Sequence, residues 1–231
     1  MKLETGRRFF CAVVALIANV EAGAQTRHEP TIELGREDAR RCGLSMRYPL
    51  WFANPVIGCS GDYRTARQAG LAMLYFQYDE ARDEYAKTLR LEVARRPLES
   101  ALTAPDAIVI RRRDGSIGLN DVYRWGGCGQ TAVDLKVESV VGRNWNGWVV
   151  EQVFPMPKRP LRSEACQKFT PEYKCVDMTF GNDKMSVQLA SHCFLRKRVH
   201  NLDKELSYDV FMDTIKTIEF HEGSVSVPRS N

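Results

Sequence analysis

The stretch CVDMTFGNDKMSVQLA, residues 175–190, decides the fold. Val176, Met178 and Phe180 alternate with Asp177 and Thr179, Gly181-Asn182-Asp183 interrupts, and Met185, Val187 and Leu189 resume the alternation. A period of two belongs to a strand whose side chains point alternately to opposite faces. The stretch predicts a β-hairpin turning at residues 181–183, with each arm burying one face.

The same pattern recurs upstream. In residues 134–154, Leu135, Val137, Ser139 and Val141 alternate with Asp134, Lys136 and Glu138, and Asn146-Gly147 offers a favoured hairpin-turn pair before the run WVVEQVF. Further strand-like runs lie at 71–79, 89–96 and 107–113. Residues 203–216 change period: Tyr208, Phe211, Met212 and Ile215 fall at helical spacing, with Asp203 or Ser207 as cap, and TIEF then returns to strand character. The expected class is α+β, a mainly antiparallel sheet with a packed C-terminal helix. The three prolines of residues 155–160 read as a loop inside one domain.

The first 25 residues supply an address. Lys2, Arg7 and Arg8 precede an apolar run from Phe9 to Val20, and Ala22-Gly23-Ala24 ends it. The run is too short to span a bilayer, which needs about 20 apolar residues. It fits a signal peptide over residues 1–24, followed by a single domain over 25–231. No transmembrane anchor is then expected after removal of the leader. The expected location is the periplasm or the exterior.

Removing the leader also removes Cys11 and leaves six cysteines: Cys42, Cys59, Cys128, Cys166, Cys175 and Cys193. An even set in an exported chain predicts three disulfides, and no Cys-x-x-Cys pair suggests zinc or a redox site. Six cysteines allow 15 pairings. Closeness in sequence favours Cys166 with Cys175 and Cys42 with Cys59, leaving Cys128 for Cys193.

Charge is unexceptional. The chain holds 33 basic and 29 acidic residues, net +4, and loss of the leader leaves +3. The clusters Arg111-Arg112-Arg113 and Arg196-Lys197-Arg198 are short and abut strand-like runs, and export removes nucleic acid as a partner. They suit solvated strand ends, or a docking surface for an acidic protein.

No Gly-x-Ser-x-Gly elbow, His-Glu-x-x-His helix, P-loop or dinucleotide motif occurs, and no pattern asks for a cofactor or a metal. His28 and His221 lie near the ends, which leaves His192 and His200 as bases. The best nucleophile is Cys128 in WGGCGQ, with Ser60 in GCSG second, but a disulfide is the simpler role for Cys128. The carboxylate pairs Asp79-Glu80 and Asp83-Glu84 read as solvated turns.

Aromatic residues point instead to binding. Trp145 lies at the expected hairpin tip and Trp125 precedes a glycine-rich turn; with Arg111, Arg112 and Arg113 they are candidate contact residues, although each tryptophan equally suits a lid over the core. Trp51 and Trp148, inside strand-like runs, are read as core. The close of the chain, YDVFMDTIKTIEF, resembles that of PsbP/Mog1-like domains and of some periplasmic immunity proteins against type VI secreted phospholipases, through Phe211, Ile215, Ile218 and Phe220. That resemblance implies a non-catalytic binding or inhibitory role toward a protein partner and transfers no catalytic residue. The alternatives are an envelope hydrolase using Cys128 or Ser60 with His192, or a structural accessory of an envelope complex.

Overall fold

A computed structural model describes residues 31–49, 56–60, 71–77, 88–124, 126–127, 130–158, 164–198 and 206–221. The expected leader, Trp51, Trp125, Cys128, His28, His200, Asp203, and the carboxylates at 79, 80, 83 and 84 lie outside the described residues.

The chain is mainly antiparallel β-sheet. In order along the sequence it forms β1 (Thr31–Glu33), α1 (Arg36–Cys42), β2 (Leu44–Ser45), β3 (Arg47–Pro49), β4 (Val56–Ser60), β5 (Leu71–Gln77) and β6 (Thr88–Ala94). There follow α2 (Leu98–Thr103), β7 (Val109–Arg111), β8 (Ile117–Leu119), a 3-10 turn (Asp121–Tyr123), β9 (Gly126–Gly127), β10 (Gln130–Thr131), β11 (Asp134–Val141) and β12 (Asn146–Val153). The last elements are α3 (Glu164–Gln167), β13 (Tyr173–Gly181), β14 (Ser186–Leu195), α4 (Tyr208–Ile215) and β15 (Glu219–Phe220). Seven strands make one sheet in the order β11-β12-β13-β14-β6-β5-β4, and every described pairing in it is antiparallel.

The alternating apolar residues build its first face. Val176, Met178, Phe180, Val187 and Leu189 are buried there with Val149. The cover comes from both ends of the described chain: β1 pairs β3, β15 pairs β2, and α4 lays Val210, Phe211 and Ile215 on the sheet. Phe194 of β14 stacks on Phe211 with ring centroids 4.4 Å apart. Ser207 stands at the N-cap of α4 without a capping bond, and its buried hydroxyl has no hydrogen-bond partner. The helix is therefore held by its apolar stripe rather than by a cap.

The second face is the larger departure from expectation. The polar members of the hairpin, Asp177, Thr179, Ser186 and Gln188, are buried as well. A second layer covers them: α2, the β7–β8 hairpin and the 3-10 turn bring Leu98, Leu102, Ile108, Val109 and Leu119 onto Val150. Lower on this face, Phe154 and Phe169 pack around Cys175 and Cys193. The hairpin thus buries both faces: Asp177 and Gln188 find partners inside, whereas the Thr179 and Ser186 hydroxyls are enclosed by packing without a hydrogen-bond partner. Gln188 Oε1 accepts from the Ile108 N–H at 3.1 Å.

Asp177 is the clearest case. Its carboxylate accepts from Gln152 Nε2 at 2.8 Å, from the Ser191 N–H at 2.7 Å and from the Ser191 hydroxyl at 3.1 Å. Ser191 has a φ of 40° and sits where the β13–β14 register shifts, between the Val176–His192 and Met178–Leu189 pairs. Asp177 therefore anchors a β-bulge whose left-handed residue is strained without it.

Two turns and one disulfide also differ from the sequence reading. The first hairpin turns at residues 142–145, where the Gly142 N–H donates to the Trp145 carbonyl at 2.9 Å, and Asn146 and Gly147 already pair in β12. Gly147 serves packing instead: a Cβ there would meet Phe180 and the Thr179 carbonyl at 2.4 Å. The second hairpin turns at 182–185, with Asn182 Oδ1 accepting from the Lys184 and Met185 N–H groups at 2.9 Å. Cys175 bonds to Cys193, not to Cys166, because β13 and β14 set the two directly opposite each other. That bond also removes Cys193 as a partner for Cys128. Cys42 and Cys166 are disulfide-bonded too.

Candidate binding surface

The arginine cluster occupies the β7–β8 hairpin. Its turn is closed by the Arg112 N–H donating to the Ser116 carbonyl at 2.8 Å and by Gly115 at a φ of 84°. Asp114 accepts from both the N–H and the hydroxyl of Ser116, at 3.0 and 2.7 Å; the hydroxyl bond leads in holding its carboxyl below the usual range. The tip is thus a fixed turn rather than a loose loop.

The three arginines differ in what they have left to offer. Arg111 grips Glu99 through two bonds of 2.9 Å and lies 5.2 Å above the ring of the half-buried Trp148. It is committed to joining α2, the hairpin and β12. Arg112 lies along Gly118, where a Cβ would strike its guanidinium at 2.4 Å, so the glycine makes room for it. Arg112 and Arg113 are exposed at the tip.

Beside this hairpin runs β11, which among the described residues ends the sheet and is contacted by β8. Its odd-numbered side chains share the face that carries the hairpin. Leu135 packs inward, whereas Val133, Val137 and Val141 are 68%, 43% and 70% exposed. Val122, next to the Tyr123 whose carbonyl accepts from Gln152, adds another exposed apolar side chain. A rigid arginine tip therefore stands next to an open, valine-bearing strand edge.

Trp145 does not belong to this surface. It is 4% exposed, its indole N–H donates to the Ile218 carbonyl at 3.0 Å, and its ring lies 4.4 Å from that of Phe180. Of the two roles open to it, the structure places it as a lid on the core. Trp125 falls outside the described residues.

The polar cluster on the first face is balanced internally. Buried Lys174 donates to both oxygens of Glu138 at 3.1 and 3.2 Å, lies 3.8 Å from Glu151, and sits 4.0 Å from the Tyr208 ring. Arg196 pairs with Glu151 and donates to the Pro171 carbonyl at 2.9 Å. Burial, then Glu138, Glu151 and Asp209, push the Tyr208 phenol well above its usual range. Two cations face two carboxylates with no nucleophile among them, a structural arrangement.

Of the hydrolytic candidates, Cys128 lies outside the described residues, and the main chain at Ser60 stands away from His192. Between β14, which carries His192, and β4, which ends at Ser60, lie β6 and β5. Three strand spacings amount to about 14 Å, beyond any hydrogen bond. His192 packs on Phe194 with centroids 4.6 Å apart, and burial, aided by Lys168, depresses its pKa to about 3. It is neutral across the physiological range. Because the unfolded chain takes up a proton near pH 6.5 and the folded chain does not, the stability linked to His192 is full above 6.5 and lost as pH falls toward 3. Below pH 6, wild type should lose stability relative to His192→Gln by about 1 kcal/mol per pH unit, one proton's worth. Urea unfolding from pH 7 to 4.5 tests this, and parallel curves for the two proteins would refute it.

An open cleft of about 460 Å³ by α1 is lined by Arg36, Ala39, Arg40, Gly43 and His221, without a carboxylate or thiol among them. Among the described residues no group of His, Cys, Asp and Glu comes together to hold a metal ion, and no helix is long and apolar enough to cross a membrane. No protein-family model matches the chain, and neither a curated protein nor a solved structure matches it.

Proposed function

We propose that this chain is an exported, disulfide-stapled α+β protein that acts by occupying a protein partner's surface in the periplasm or envelope. Its most concrete form is an immunity-type inhibitor of a secreted effector. The observation that carries the reading is the fixed Arg112–Arg113 tip, exposed and free of the Glu99 clamp that holds Arg111. Arginine is enriched at interface hot spots, and its planar fork suits carboxylates on an acidic partner. The leader-like residues 1–24 and the described disulfides agree with a chain that works outside the cytoplasm.

The test is affinity capture of envelope and secreted proteins on the mature chain, followed by titration of the captured partner. Arg112→Glu/Arg113→Glu should weaken that partner about tenfold or more while leaving the melting temperature unchanged, since both side chains are exposed. An unchanged affinity would remove the tip from the contact. Turnover of an ester, peptide or glycan that disappears in His192→Ala, with no partner captured, would make the chain an enzyme.

A further inference from the structure

The geometry points to β11 as a self-pairing edge: we propose that a second copy of this chain adds its own β11 antiparallel to this one, continuing the sheet across a two-fold axis at Val137. This is independent of the arginine tip and of what the tip binds.

Half of the main-chain groups of β11 turn away from β12. The Gly142 N–H bonds to the Trp145 carbonyl in line with the β11–β12 register, so even-numbered residues of β11 face β12. Alternation turns the N–H and C=O groups of Leu135, Val137, Ser139 and Val141 outward. Leu135 confirms the direction, because its N–H is taken by the Asp134 carboxylate at 2.8 Å instead of by β12. An edge with outward groups is a template for another strand.

In an isologous contact a residue and its partner exchange roles across the axis. With Val137 opposite Val137 of the second copy, Lys136 faces Glu138 of that copy and Glu138 faces its Lys136. These are non-hydrogen-bonded pairs, the type in which side chains approach most closely. Lys174 already pins the Glu138 carboxylate through both oxygens, so the acceptor is held in place while remaining half exposed. On the other face the exposed Val137 comes opposite Val137 of the second copy, whereas Val133, whose N–H donates to the Val153 carbonyl at 2.9 Å, leaves the alternation of the strand before the pairing begins. Val137 exchanges both main-chain bonds with its counterpart, and the Ser139 N–H reaches the Leu135 carbonyl of the other copy.

Neighbouring registers fail on charge. A shift one way puts Glu138 against Glu138, and the other way Lys136 against Lys136 with Asp134 against Glu138. Centring on Leu135 restores an opposite-charge pair, Lys136 with Asp134, but overlaps the two strands only over residues 134–136, against 134–140 in the Val137 register. The strand therefore carries both an attraction in one register and repulsion in the adjacent ones.

Sedimentation of the mature chain should give a dimer at micromolar concentration. Lys136→Glu, an exposed change that sets acid against acid twice, should raise the dimer dissociation constant about tenfold or more without lowering the melting temperature. Register is read by cross-linking under mild oxidation. Val137→Cys should link to itself readily, whereas Ser139→Cys, opposite Leu135, should not. A mature chain that stays monomeric at 100 µM, as an order-of-magnitude ceiling for a specific edge contact, overturns the proposal, including where a different protein's strand is found on β11. Equal cross-linking at 137 and 139, or a dimer indifferent to Lys136→Glu, overturns the register and with it the proposal.

Discussion

Replacing Trp145 by alanine should destabilise the protein by about 3 to 5 kcal/mol, the range for deleting a large buried aromatic, and should leave partner affinity unchanged in the fraction that stays folded. Three losses combine. The ring leaves a cavity beside Phe180 and Ile218 in the main core, the Ile218 carbonyl loses its indole donor, and the turn at 142–145 loses the side chain against which Gly142 is fitted. A Cβ at Gly142 would come within 2.0 Å of the indole. Gly142→Ala should therefore also destabilise, and should do so less in a Trp145→Ala background, where the obstacle is gone. Urea denaturation of the four proteins measures the coupling. An unchanged melting temperature with lost partner binding would return Trp145 to the interface.

Cys175→Ala/Cys193→Ala should cost about 3 kcal/mol, the loop-entropy value for a separation of this size, here 18 residues. Both sulfurs lie under Phe154 and Phe169, so the alanine pair retains an apolar site with two small gaps. Peptide mapping of unreduced protein should recover the segment around 175 joined to that around 193. Recovery of 166 joined to 175 would overturn the register of β13 on β14 as well as the disulfide.

What the sequence disclosed, and what it hid, follows from the range over which each signal acts. The apolar alternation at Val176, Met178 and Phe180 and the stripe at Phe211, Met212 and Ile215 are local, and both elements stand where their periodicity puts them. The burial of Asp177, Thr179 and Gln188 is not local: a polar alternate reads as a solvent face until α2 and β7–β8, drawn from residues 98–119, are seen to lie over it. Asn146-Gly147 resembles a turn, yet its glycine answers to Phe180 across the strand, a neighbour 33 positions away. Closeness in sequence suggested Cys166 for Cys175, whereas pairing in a sheet follows register. At the candidate surface, composition found the arginines but did not separate Arg111, spent on Glu99 and Trp148, from the two at the tip. The same composition did not single out β11, whose value as an edge depends on having no neighbour beyond it among the described residues.

The pairing of β2 with β15 sets an order of events. A ribosome delivers residues 44–45 long before 219–220, and the antiparallel bridge between them closes a loop of nearly the whole described chain. Strand β6 likewise waits for β14 before it has a second neighbour. Loop closure over such distances is entropically slow and makes folding late rather than progressive. The nascent chain is thus a poor candidate for partial, stable structure, and clipping the α4–β15 segment from the finished protein should unseat the amino-terminal layer together with it, so that both ends survive or fail as one unit.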